Sequence, residues 1–121
     1  GVTKHGPPMP TGSVLVDSNV FIGLLRRGVD PVGALGEWAG PADLATCSMV
    51  RLEVERGLRP GRVRERIGAF FDVLVMIPAG NKVWTLATEI AWSLGRRGLT
   101  LRAQDCLIAA CALTTGASVL T

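Results

Sequence analysis

The sequence predicts an α/β fold, a three-layer sandwich with a central parallel sheet of four strands. Two observations carry that expectation. Short apolar runs alternate with longer segments of helical periodicity along the whole chain. Every connection between successive apolar runs is long enough to hold a helix, which is the signature of a parallel sheet covered on both faces. No internal repeat and no interdomain linker interrupts the pattern.

The elements follow in order. Residues 1–12 are polar and Pro-rich, and read as a disordered leader or an expression remnant ahead of one domain over 13–121. Ser13 to Asp17 is an apolar run ending in an acid, the first buried strand. Asn19 to Arg27 carries Val20, Phe21, Leu24 and Leu25 at helical spacing, and Gly28 stops it. Pro31 opens a short helix to about Ala39, and Pro41 breaks the chain. Asp43 to Cys47 is the second strand. Helices are expected over Met49 to Leu58 and over Gly61 to Phe71, separated by Pro60. Val73 to Ile77 reads as a third buried strand before Pro78. Asn81 to Arg97 is the longest helix, with Val83, Leu86, Ala87, Ile90 and Leu94 on one face. Ala103 to Thr115 is the last helix, and Ser118 to Leu120 begins the fourth strand.

Composition narrows the chemistry. With 121 residues, one domain accounts for the chain. Apolar residues make up 48% and charged ones 19%, which excludes an acidic disordered chain, a coiled coil and a collagen-like repeat. A mean hydropathy of +0.35 leaves apolar surface outside, a hint of a protein partner or a dimer. No apolar run is long enough to span a membrane and no signal peptide is evident, so a cytoplasmic location is expected. Cys47, Cys106 and Cys111 read as buried free thiols, and without zinc-ligand spacing a structural zinc site is not expected. The single His is His5 and Tyr is absent, so catalysis would rest largely on the ten acids.

Three acids stand out. Asp17 ends the first strand, where open parallel sheets bind ligands, but an Asp before a helix also serves as an N-cap. Glu53 lies in the helix after the second strand, and helical side chains lean back toward the N-terminus, so it can reach the same crevice. It can equally be a surface Glu paired with Arg56. Asp105 opens a helix that is apolar all round, and no charged residue follows from Cys106 to Thr121. Such a carboxylate needs a cap, a cation or a metal. Asp30, Glu37, Asp43, Glu55, Glu65, Asp72 and Glu89 read as solvated. If the three converge, they repel one another, and a divalent cation relieves that repulsion. Oxygen ligands suit Mg2+ or Mn2+, which support phosphodiester chemistry. Arg56, Arg59, Arg62, Arg64 and Arg66 form either a solvated face or a stripe facing nucleic acid.

Other α/β families fit poorly. A receiver domain needs an acid after the third strand and a late Lys, and neither is present. A dehalogenase-type phosphatase needs Asp-x-Asp, where this chain has Asp17-Ser18-Asn19. Neither a phosphate loop nor a dinucleotide fingerprint occurs.

Three segments together resemble the PIN-domain ribonucleases, especially the VapC-type toxins of toxin–antitoxin pairs. They are Val14-Leu-Val-Asp-Ser-Asn-Val-Phe-Ile22, Leu52-Glu-Val-Glu-Arg-Gly57, and Leu101-Arg-Ala-Gln-Asp-Cys-Leu-Ile-Ala-Ala-Cys-Ala-Leu113 with Gly116-Ala-Ser-Val-Leu-Thr121. The resemblance implies that Asp17, Glu53 and Asp105 are catalytic metal ligands for Mg2+ or Mn2+. Ser18 and Asn19 would be secondary contacts. The implied activity is metal-dependent endonucleolytic cleavage of RNA by the toxin of a type II pair. Implied partners are the RNA substrate, a cognate antitoxin and a second copy of the chain. The alternative is a catalytically reduced PIN-fold module that binds RNA or protein. The family supplies a fourth acidic or polar residue just past the strand that ends near Thr121, and then a last strand. The expectation here is therefore a truncated C-terminal edge with Thr121 as a further secondary contact, or a reduced three-acid site.

Overall fold

The computed structural model describes residues 13–40 and 43–121. The leader expected over 1–12 lies outside the described residues, as does the break at Pro41. Four strands form one sheet: β1 (Val14–Val16), β2 (Leu44–Cys47), β3 (Val75–Ile77) and β4 (Ser118–Leu120). Their order is β3-β2-β1-β4 and every pairing is parallel. Six helices connect them: α1 (Ser18–Arg26), α2 (Pro31–Trp38), α3 (Ser48–Glu55), α4 (Arg62–Val73), α5 (Asn81–Arg96) and α6 (Ala103–Thr115).

The strand order explains the layers. From β1 the chain steps outward to β2 and then β3, through α1 to α4. It then returns past β1 to β4 through α5 and α6. Right-handed crossovers in opposite directions put the two helix sets on opposite faces. The result is the expected three-layer sandwich. The direction of winding reverses between β1 and β4, and such switch points open a crevice at the C-terminal ends of the strands.

The core is the buried face of each amphipathic helix against the sheet. Leu15, Val16, Leu44 and Ala45 are fully buried in the two central strands. Phe21 of α1 stacks tilted against Phe71 of α4 at 4.9 Å between ring centroids, which locks two helices of one layer together. All three cysteines are free and buried. The neighbouring Cys47 thiol, together with burial, pushes the Cys111 thiol up. Gly116 ends α6 with φ +73°, a left-handed conformation that favours glycine, and so turns the chain directly into β4.

Two expectations change. Val73 belongs to the last turn of α4 and not to the third strand, and it is 61% exposed. The strand that follows is an edge strand with Met76 half open to solvent, so a continuous apolar run here does not mean a strand buried on both faces. The last helix is also not apolar-and-buried throughout: Leu113 points outward, 67% exposed. Elsewhere element ends shift by one to three residues, as helix ends commonly do.

Candidate active site

Asp17 follows β1 directly, and its backbone N–H donates to the Leu120 carbonyl at 2.9 Å. That bond pins the end of the first strand to the end of the fourth. Asp17 stands at the N-cap position of α1 with extended backbone, φ −70° and ψ 152°, yet its carboxylate takes no backbone N–H of the helix. It accepts instead from Ser18 Oγ at 3.2 Å and from Asn19 Nδ2 at 3.4 Å. The residue is buried, with 6% exposure. An Asp in this position ordinarily stabilises the helix by capping, worth about 1 kcal/mol. Its side chain is turned to another task.

Glu53 reaches the same place from α3. Ser18 Oγ also lies 3.2 Å from Glu53 Oε1, so one hydroxyl spans two carboxylates. The pairing of Glu53 with Arg56 weighed from the sequence does not form. A serine hydroxyl has a single proton, so it serves one of these oxygens at a time or shares poorly between them. The remaining lone pairs of Asp17 and Glu53 are available to a cation.

Asp105 approaches from the opposite layer. It lies in the first turn of α6, whose N-cap is Arg102. The capping role considered for it is therefore not taken. Its carboxylate is held by Arg102, Nε to Oδ2 at 3.2 Å and Nη2 to Oδ1 at 3.3 Å. Arg102 is the residue that the sequence reading missed, and its i, i+3 spacing to an acid was the available signal. Its guanidinium is held more firmly in the charged form by Asp105 first, and then by the fields of Glu53 and Asp17. Arg102 thus feels all three acids.

Asp17, Asn19, Asp105, Ile108, Ala109, Val119 and Thr121 line one cavity of about 400 Å³. It lies where the topology opens the crevice between β1 and β4. Asp17, Asp105, Asn19 and Thr121 come together there. Glu53 does not line it and joins only through Ser18. Among the described residues, no three His, Cys, Asp or Glu side chains lie close enough together to hold a metal ion by themselves. The donor chemistry nevertheless fits Mg2+, which keeps several waters and binds through one or two carboxylates plus substrate phosphate. Two acids with an asparagine and a threonine lining one cavity are such a set.

Several other charged residues resolve into ion pairs. Asp30, read as solvated, caps α2 and is gripped by Arg66 at 2.7 Å. Glu55 and Asp72, also read as solvated, both pair with Arg51. The five-arginine stretch therefore divides. Arg66 is committed to Asp30, whereas Arg56 and Arg64 line a separate groove with Ser48 and Leu52.

Comparison with known proteins now bears on this geometry. The PIN domain family model matches residues 14–121. The chain belongs to the PIN domain family. The PIN fold is also seen in solved structures. A toxin–antitoxin complex from Klebsiella pneumoniae aligns with TM-score 0.69 and 20% identity, over 90% of this chain and 85% of that one. DNA-bound VapBC from Salmonella typhimurium aligns with TM-score 0.70 and 18% identity, over 88% and 83%. FitAcB from Neisseria gonorrhoeae aligns with TM-score 0.66 and 20% identity, over 89% and 86%. At these identities the likeness is one of fold. No curated protein sequence matches this PIN domain.

Proposed function

We propose that this PIN domain is a metal-dependent endoribonuclease and the toxin of a type II toxin–antitoxin pair. One observation carries the reading: Asp17 and Asp105, from opposite layers, line one cavity at the switch point of the sheet, with Glu53 tied in through Ser18. Asp17 and Asp105 would hold Mg2+ or Mn2+, with Glu53, Asn19 and Thr121 as further oxygen donors. When bound, the cation supplies positive charge that offsets the negative charge developing on a cleaved phosphodiester. Ser18 orients the two carboxylates that it touches, and Asn19 steadies the far oxygen of Asp17.

The partners in this reading are an RNA substrate, an antitoxin and a second copy of the chain, in the cytoplasm. The solved complexes of toxin with antitoxin support the antitoxin partner by likeness of fold. Exposed Trp38, Leu52, Trp84 and Trp92 offer apolar area for protein contacts. Among the described residues no helix is long and apolar enough to cross a membrane.

The test is RNA cleavage with Mn2+. Asp17→Ala and Asp105→Ala are each expected to abolish it, as is chelation of the metal. Cleavage that survives both substitutions would refute the assignment. Salt-sensitive RNA binding without turnover at any metal concentration would favour the second reading, a catalytically reduced binding module. The observation on its side is that no three acids sit together tightly enough to grip a metal alone.

A further inference from the structure

We infer that Arg102 is an internal counter-cation of the acidic site, which competes with the divalent cation for Asp105 and so sets the metal concentration at which the site loads. The inference rests on the metal-dependent reading above and deepens it.

Asp105 is claimed from two sides. Its carboxylate faces the cavity shared with Asp17, and both of its oxygens are engaged by the Arg102 fork. Among the described residues, Arg102 is the only cation ion-paired with any of the three acids. Two features make the pairing exchangeable. The Arg102 side chain is 56% exposed, and ion pairs of that exposure are weak because water and salt screen them. Arg102 also sits at the N-cap of α6 with extended backbone, so its side chain escapes the rotamer limits that a helical backbone imposes. Weak as the pairing is, the fork occupies both oxygens of Asp105, and the charges of Glu53 and Asp17 also draw it. A divalent cation that takes Asp105 must displace it. Arg102 therefore acts through Asp105, as a positioning residue.

The test is metal binding, read without activity. Mn2+ is titrated into the full chain, and free Mn2+ is followed by electron paramagnetic resonance. Arg102→Gln is expected to bind Mn2+ about two- to fivefold more tightly than the unaltered chain. Arg102→Lys, which keeps the charge and loses the fork, should gain less. Arg97→Gln, which removes the same charge from the end of α5, should change nothing. A second measurement uses the unaltered protein: the Arg102 Nε–H resonance should shift as Mg2+ is added. If the chain binds Mn2+ but Arg102→Gln binds no more tightly, the inference fails while the metal site stands. It fails also if Arg97→Gln gains as much, or if Mg2+ binds without moving the Arg102 resonance. If neither protein binds Mn2+, both the inference and the metal-dependent function fall together.

Discussion

Asp17 and Asp30 occupy the same position on neighbouring helices and do opposite things. Both are N-cap residues in extended backbone, one before α1 and one before α2. Asp30 accepts from the backbone N–H groups of Val32 and Gly33 and satisfies two orphan donors. The Asp17 carboxylate takes no backbone N–H of α1, where Val20 N–H goes to the Asp17 backbone carbonyl instead, and it turns toward Ser18 and the cavity. Asp30 is half exposed, whereas Asp17 is buried. One carboxylate stabilises a helix at the surface. The other forgoes that stabilisation where the sheet opens. The difference teaches that an acid before a helix is assigned by where its oxygens go, not by its place in the chain.

Exchanging the two roles is the way to break this comparison. The largest effect is expected from Asp17→Asn, which should slow RNA cleavage by more than the roughly 10–100-fold typical of an outer contact to a metal ligand. The same variant should change unfolding free energy by less than about 1 kcal/mol, because no cap is lost. Ser18→Ala comes next. It removes the link between Asp17 and Glu53 and should weaken Mn2+ binding by about tenfold, measured by calorimetry. Asp30→Ala should show the mirror image: full activity, with about 1 kcal/mol of stability lost in urea denaturation.

The smallest effect is one of pH. Arg66 beside Asp30 holds its carboxyl below the ordinary value of 3.8, with help from the capping N–H groups of Val32 and Gly33. A lowered carboxyl contributes stability above its unfolded value and loses it as pH falls through the folded one. The thermal midpoint of the chain should therefore exceed that of Asp30→Asn at neutral pH. The gap should close as pH falls below 3.8. A gap independent of pH would show that Asp30 acts only as a neutral cap.

Much of the frame was legible in the sequence because it rests on local pattern. The run Val14-Leu15-Val16, the buried Leu44-Ala45 pair and the apolar stripe of α5 announce themselves by spacing. Asp17 and Asp105 are likewise visible as acids bordering apolar elements, and Glu53 as an acid within the helix after the second strand. What stayed hidden depends on neighbours distant in sequence. Asp30 reads as a solvated acid until Arg66 is placed beside it, and the tie of Asp17 to Glu53 through Ser18 is invisible along the chain. Met76 looks like core until β3 proves to be an edge. Arg102 looked like one more basic residue because only the turn at the start of α6 folds its fork back onto Asp105.

The hydrogen bond from Asp17 to Leu120 has a consequence for how the protein is made. It joins the first strand to the fourth, so almost the whole described chain must close on itself before it can form. A chain emerging from the ribosome carries Asp17 early, but the Leu120 carbonyl and the Thr121 wall of the cavity follow much later. Until β4 pairs with β1, the cavity lacks its Val119 and Thr121 wall. Under the proposed function, a copy that lacks β4 also lacks the closed cavity in which RNA would be cut.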